Sequence, residues 1–259
     1  MKLTVIGSGT LWPDGERSSA AHFVETGACR VLLDCGSGTV HAMGRLDLAW
    51  QKITHIAITH FHTDHVGDLP ALFWAFRVGL RGERREPLVL LGPPGIRRFM
   101  ERLARAFGEF ILDPQFPVHV VELAREDQWQ DPARPLSFST KPTVHTARSL
   151  AYRLTADATV GYTGDTGPDQ ALFEFFAGVD AVVAECSEAD PPSAATHLSP
   201  AGVAELGRVA NPGVIITTHV YHPLEPSKVP GLVKAAGWTG PVLAGHDGLT
   251  IQIPFANGG

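Results

Sequence analysis

The chain has 259 residues, 44% of them apolar and 19% charged, and carries a formal net charge of −6. That length supplies ample core for one large domain or two small ones, and the composition is that of an ordinary globular protein. No apolar run reaches the roughly eighteen residues of a membrane-spanning helix, and the acidic balance argues against a general nucleic-acid binder with a basic face.

Three cysteines, Cys29, Cys35 and Cys186, are odd in number and lack zinc-knuckle spacing, so they read as reduced thiols of a cytoplasmic protein. The opening residues run into Gly7-Ser8-Gly9 too soon for a signal peptide, and residues 2–6 are expected to form a first strand. Irregular chain follows to Ser19. His22 to Glu25 and Arg30 to Leu33 are apolar runs divided by Thr26-Gly27-Ala28, a hairpin signal in which His22 is read as a core residue. The turn from Asp34 to Thr39 leads into a short helix with Ser37 or Thr39 as its cap.

Ile56-Ala57-Ile58 reads as a buried strand. It delivers the densest stretch of the chain, Thr59-His60-Phe61-His62-Thr63-Asp64-His65. A regular helix cannot aim all four ligand-type side chains at one point, because neighbours on a helical face are three or four positions apart. A strand end can. His60 and His62 leave on one side of the turn, and Asp64 and His65 follow in the next bend, where a helix begins toward Leu69. Imidazole with carboxylate suits zinc and its first-row neighbours. The spacing supplies two metals, His60 and His62 for one and Asp64 and His65 for the other, and such pairs sit about 3.5–4 Å apart.

Downstream, a helix is expected from Leu69 to Val78, with Phe73, Trp74 and Phe76 read as packing rather than as cleft lining, then a loop from Arg77 to Arg85. Leu88 to Leu91 is a strand, and Gly92-Pro93-Pro94-Gly95 opens a helix with proline in its first turn. Ile96, Phe99, Met100, Leu103 and Phe107 mark its apolar face, and Arg97, Arg98, Arg102 and Arg105 a solvated one. Strands are expected at Pro117 to Val121, Leu136 to Thr140, Leu150 to Leu154, Thr159 to Thr163, Val179 to Glu185, Val214 to Thr218, Val242 to Ala244 and Leu249 to Ile253. Helices fall at Ser199 to Ala210, capped by Ser199 with Pro200 behind it, and at Val229 to Ala236. Hairpins and alternating elements together fit two sheets flanked by helices, a single domain over 1–259.

Three further ligand types stand at predicted strand ends, His145, Asp165 beside Gly164, and His219. With the cluster they complete two sites, His60/His62/His145 and Asp64/His65/His219, with Asp165 between. His222, three residues beyond His219, reads as exposed.

At these residues the chain resembles the metallo-β-lactamase superfamily and, within it, the ribonuclease Z-like branch. His60-Phe61-His62-Thr63-Asp64-His65 is similar to the superfamily metal motif. Asp34 to Thr39, Pro87 to Ile96, Gly164-Asp165-Thr166, Glu185, His197-Leu198-Ser199, Thr218-His219 and His246-Asp247-Gly248 resemble blocks of the branch, in order and over nearly the whole chain. The resemblance implies an αββα sandwich of two mixed sheets with a di-zinc centre at one edge, manganese or iron being alternatives in one position. It also implies that His197, oriented by Glu185, donates a proton to the leaving oxygen, and it suggests a homodimer. Two departures weigh against tRNA processing. The interval from His145 to Asp165 is 165 − 145 = 20 residues, too short for the tRNA-clamping arm of such nucleases. Asp68 also adds a carboxylate near the expected mouth, where those nucleases carry glycine. The expected activity is therefore hydrolysis of a small phosphodiester by a metal-bridged hydroxide that Asp64 binds and orients. The alternatives are a tRNA 3′-processing endoribonuclease and a lactone or β-lactam hydrolase on the same centre.

Overall fold

In the computed structural model, residues 1–255 are described. Strands β1 (Lys2–Gly7), β2 (Ala21–Glu25), β3 (Arg30–Leu33), β4 (His55–Ala57), β5 (Leu88–Gly92) and β6 (Val118–Glu122) build the first sheet in sequence order. The second sheet comprises β7 (Gln128–Gln130), β8 (Ser137–Pro142), β9 (Leu150–Thr155), β10 (Thr159–Tyr162), β11 (Ala181–Glu185), β12 (Ile215–Thr218) and β13 (Val242–Ala244). Finally β14 (Thr250–Gln252) returns to the first sheet and pairs antiparallel with β1. The two mixed sheets have seven strands each.

Alternation of side chains assigns the layers. Val31 and Leu33 of β3, Val89 and Leu91 of β5, and Val183 of β11 share the core between the sheets with Phe138, Tyr152 and Val160. The intervening Leu32, Leu88 and Leu90 face the other way, onto α1 (Thr39–Arg45), α3 (Leu69–Gly79) and α4 (Ile96–Phe107); the four-residue α2 (Thr63–Val66) precedes α3. On the far side Val182, Ala184 and Ile215 pack against α5 (Gln170–Phe175), α6 (Pro200–Ala210) and α7 (Val229–Ala235). Both faces of each central strand are thus buried, which is why these strands read as continuous apolar runs. The result is a four-layer αββα sandwich.

The parallel stretches β3–β6 and β10–β13 matter most for function. Parallel strands joined by crossovers bring their carboxyl ends to one edge, the usual place for a ligand site in such sheets. The chain leaves β4 into the histidine cluster, β10 into Gly164-Asp165, β11 into Cys186-Ser187 and β12 into His219.

Several local expectations are corrected. Neither Ser37 nor Thr39 caps α1, since Gly38 occupies the cap position in the left-handed region. Asp68 does not reach for the mouth; its Oδ2 accepts from Val40 N at 2.9 Å, in the first turn of α1. Pro93 and Pro94 precede α4 rather than entering it. Phe107, assigned to the apolar face of α4, is 57% exposed, because the helix ends there and the core has already closed over Ala104. Strand β7 and helix α5 went unforeseen. Ser199 does cap α6, accepting from Gly202 N.

Candidate metal centre

His60 and His62 lie just past β4, and His62 holds the N-cap position of α2, which carries Asp64 and His65 on successive positions. A strand end and one helical turn thus achieve what neither alone would. Gly36 makes this possible: a Cβ there would lie 2.0 Å from the Asp64 carbonyl oxygen, so only glycine lets the β3–α1 turn seat against α2. Gly164, before Asp165, has φ +54°, and a Cβ on it would meet the Thr59 side chain at 2.9 Å. His219 itself stands at φ +56°, an unusual conformation for a non-glycine residue.

The seven side chains converge. His145 Nε2 is 3.1 Å from His62 Nδ1. Asp165 turns one oxygen to each group: Oδ2 lies 3.8 Å from His60 Nε2 and 3.6 Å from His145 Nε2. Its Oδ1 lies 3.2 Å from His65 Nε2 and 3.6 Å from His219 Nε2. Asp64 Oδ2 is 3.2 Å from His219 Nε2. Within each of the groups His60/His62/His145/Asp165 and Asp64/His65/His219, one potential donor atom per residue falls within 4.8 Å of the others.

The outward nitrogens are held in place. His60 Nδ1 lies 3.0 Å from Thr59 Oγ1, His65 Nδ1 2.7 Å from Asp34 Oδ2, and His219 Nδ1 2.9 Å from Ser187 Oγ. His145 Nδ1 lies 3.3 Å from the Thr196 carbonyl. Such partners set ring orientation and leave Nε2 facing inward. His60 Nε2, His65 Nε2 and Asp165 Oδ1 are buried yet lack a hydrogen-bond partner. Buried polar atoms of that kind require an explanation, and imidazoles with two carboxylates aimed at common points fit divalent first-row cations.

Electrostatics follow burial and neighbours. Burial and the adjacent His65 keep His60 far below the ordinary histidine range, which leaves its ring neutral. Asp165 sits well below the carboxylate range, because the surrounding His219 and His65 outweigh the effect of burial. His22 is buried, edge-on to Tyr162 at 5.0 Å, and burial pushes its pKa down to about 3. It belongs to none of the converging groups among the described residues.

Beside the cluster, Glu185 ends β11 and is 2% exposed. Its Oε1 accepts from Thr166 N at 2.7 Å and faces His197 Nδ1 at 2.9 Å, while Oε2 accepts from Ser187 N and Leu198 N. Burial opposes a charged His197 ring, but the Glu185 hydrogen bond and charge outweigh it and raise the pKa. His197 packs edge-on to His145 at 4.9 Å, and the cleft of about 320 Å³ over the cluster is lined by His62, Asp64, His145, Asp165 and His197.

Asp34 was legible only as part of a motif. It accepts from Thr59 N, Thr59 Oγ1 and Tyr162 OH as well as holding His65. The signal that would have singled it out is an aspartate at the end of a buried strand, ahead of a glycine turn.

The family model described as anti-Pycsar protein Apyc1 matches residues 1–206. A ribonuclease Z of Mycobacterium sp. (strain KMS) is 28% identical over 250 residues, which cover 88% of this chain and 87% of that protein. Among solved structures, the metallo-β-lactamase-fold protein YhfI from Bacillus subtilis superposes with a TM-score of 0.83 at 21% identity, over 96% of this chain and 98% of its own. Human tRNase Z, short form, gives 0.80 at 20% identity, over 98% of this chain and 100% of its own. These structural likenesses establish the metallo-β-lactamase fold.

Proposed function

Since the chain belongs to the family of the anti-Pycsar protein Apyc1, in the ribonuclease Z-like branch of the metallo-β-lactamase fold, we propose that this metal-dependent hydrolase is a di-zinc phosphodiesterase acting on small phosphodiesters. The observation that carries the reading is Asp165, whose two oxygens face the two histidine groups separately while His197 stands beside them on Glu185.

His60, His62 and His145 would hold one ion and Asp64, His65 and His219 the other, with Asp165 reaching both; manganese or iron is an alternative in the second, more oxygen-rich position. When bound, the ions lower the pKa of a water toward neutrality and draw off charge from the phosphoryl oxygens. Asp64 acts as a ligand and orients the attacking water. His197 keeps Nδ1 on Glu185, so the proton on Nε2 passes to the leaving oxygen, and general acids of this kind contribute roughly 10²–10⁴-fold. We include in the proposal a single hydrolase domain over residues 1–259, a homodimer, which light scattering would test, and a cytoplasmic location, to which three buried free cysteines are suited. No helix among the described residues is long and apolar enough to cross a membrane.

A tRNA 3′-processing endoribonuclease is the second reading, favoured by ribonuclease Z relatives. Against it, the interval between His145 and Asp165 is taken up by β9 and β10. Asp68 hydrogen-bonds the first turn of α1 and does not line the cleft over the cluster, so it carries no argument about the substrate. The test is a panel with metal-loaded and chelator-stripped protein: bis(p-nitrophenyl) phosphate, a cyclic nucleotide, a precursor tRNA and a lactone. Metal-dependent turnover of the small phosphodiesters should exceed that of the other two. Precursor tRNA or lactone consumed faster would replace this reading.

A further inference from the structure

The rim on the His197 side differs from the rest of the cleft. Residues 9–18 form a loop that carries Leu11 and Trp12, 59% and 61% exposed. Single exposed apolar residues need no explanation, but Leu11 lines the cleft over the cluster and Trp12 lines the cavity beside it. Trp12 lies edge-on to Tyr221 at 6.5 Å, and Tyr221 lies edge-on to His219 at 5.5 Å. Trp12, Tyr221, His222, Glu188 and His197 line a cavity of about 660 Å³. His197 and Tyr221 also line the smaller cleft over the metal ligands, so they form the wall that the two spaces share.

The loop is anchored at both ends. Asp247 accepts from Ser8 N, Ser8 Oγ and Ser18 N at 2.9, 3.0 and 2.7 Å. Arg17 binds Asp14 at 2.7 Å and donates to the Val220 carbonyl at 3.0 Å, which ties the loop to the chain beyond His219. Ser8 O accepts from His219 N at 2.9 Å. Trp12 therefore has a fixed place relative to the metal ligands.

We propose that this cavity is the leaving-group subsite, and that Trp12 and Tyr221 favour esters whose departing alcohol is uncharged and bears an aromatic ring. The inference rests on the phosphodiesterase reading. A general acid must touch the oxygen that departs, so the departing group lies on the His197 side of the phosphorus, where this cavity opens. Aromatic side chains meet a ring well edge-on or offset-stacked. The Glu188 carboxylate, whose Oε2 is held by Ser193 N and Oγ, repels an anionic group there. The volume is that of a small-molecule subsite. In the step itself the water oxygen bonds to phosphorus, and the P–O bond to the alcohol breaks with its electron pair on the alcohol oxygen. That oxygen takes the His197 Nε2 proton, and the proton lost by the water replaces it over the cycle.

Methyl benzyl phosphate reads the orientation directly, because its two alcohols are nearly equal in acidity. Metal-loaded protein should release benzyl alcohol over methanol by roughly tenfold, the ratio that one good aromatic contact supplies. Trp12→Ala should bring the ratio close to one, and Trp12→Phe should keep most of it. Benzylphosphonate, whose P–C bond the reaction cannot break, should quench tryptophan fluorescence in the wild type and not in Trp12→Phe. A wild-type ratio near one or in favour of methanol, a ratio unchanged in Trp12→Ala, or quenching unchanged in Trp12→Phe would overturn the subsite alone. Failure to hydrolyse any phosphodiester would overturn the phosphodiesterase reading, and the subsite with it.

Discussion

Asp34 and His197 make different contacts, and their variants separate the roles proposed for them. Asp34 collects four hydrogen bonds from Thr59, His65 and Tyr162 at 2.7–2.8 Å. In Asp34→Asn the amide keeps the volume but loses the charge and one acceptor, so the His65 ring loses its orientation. Metal affinity, read by competition with a chelating dye, should fall about 10–100-fold. Unchanged affinity would remove Asp34 from the positioning of His65. His197→Ala should instead keep the metal content and lower turnover by about 100-fold or more for esters with poor leaving groups. A p-nitrophenyl ester should lose far less, since its leaving group departs without a proton. Equal losses on both kinds of ester, or loss of metal, would make His197 a binding residue.

Between elements, the contact that sets the cluster is backbone on backbone. Cys35 N donates to His65 O at 2.8 Å and Asp68 N to Cys35 O at 3.0 Å, so the turn after β3 is laced to α2. Gly36→Ala places a methyl group against the Asp64 carbonyl, which cannot move without moving the candidate ligands Asp64 and His65. Gly15→Ala, with nothing within 4 Å of the added carbon, is the control. Gly36→Ala should lower both the melting temperature and metal content, whereas Gly15→Ala should change neither; a Gly36→Ala protein that binds metal normally would refute the packing account. Much of this architecture was legible in the sequence. Buried parallel strands announce themselves as apolar runs, and ligand types at their ends stand out because little else puts histidine there. What escaped notice lacked such a pattern. Strand β7 is Gln128-Trp129-Gln130, an edge strand with two exposed glutamines. Helix α5 has six residues, and its one sign was the Asp169 cap. Asp34 stands within a motif, but its contacts with Thr59, His65 and Tyr162 converge only in the folded chain.

At the scale of the whole molecule, the candidate site draws on both sheets. His60 and His62 follow β4 of the first, and Asp165 and His219 follow β10 and β12 of the second. Candidate ligands 155 positions apart thus meet, as Asp64 and His219 do. The proposed centre can form only when the sandwich has closed, with Asp165 facing both halves. The proposed chemistry needs two ions acting together, and titration of chelator-stripped protein with zinc tests that most directly. Bis(p-nitrophenyl) phosphate hydrolysis should stay low through the first equivalent, rise through the second and level off at two ions per chain. Full activity at one ion per chain, or none at two, would contradict it.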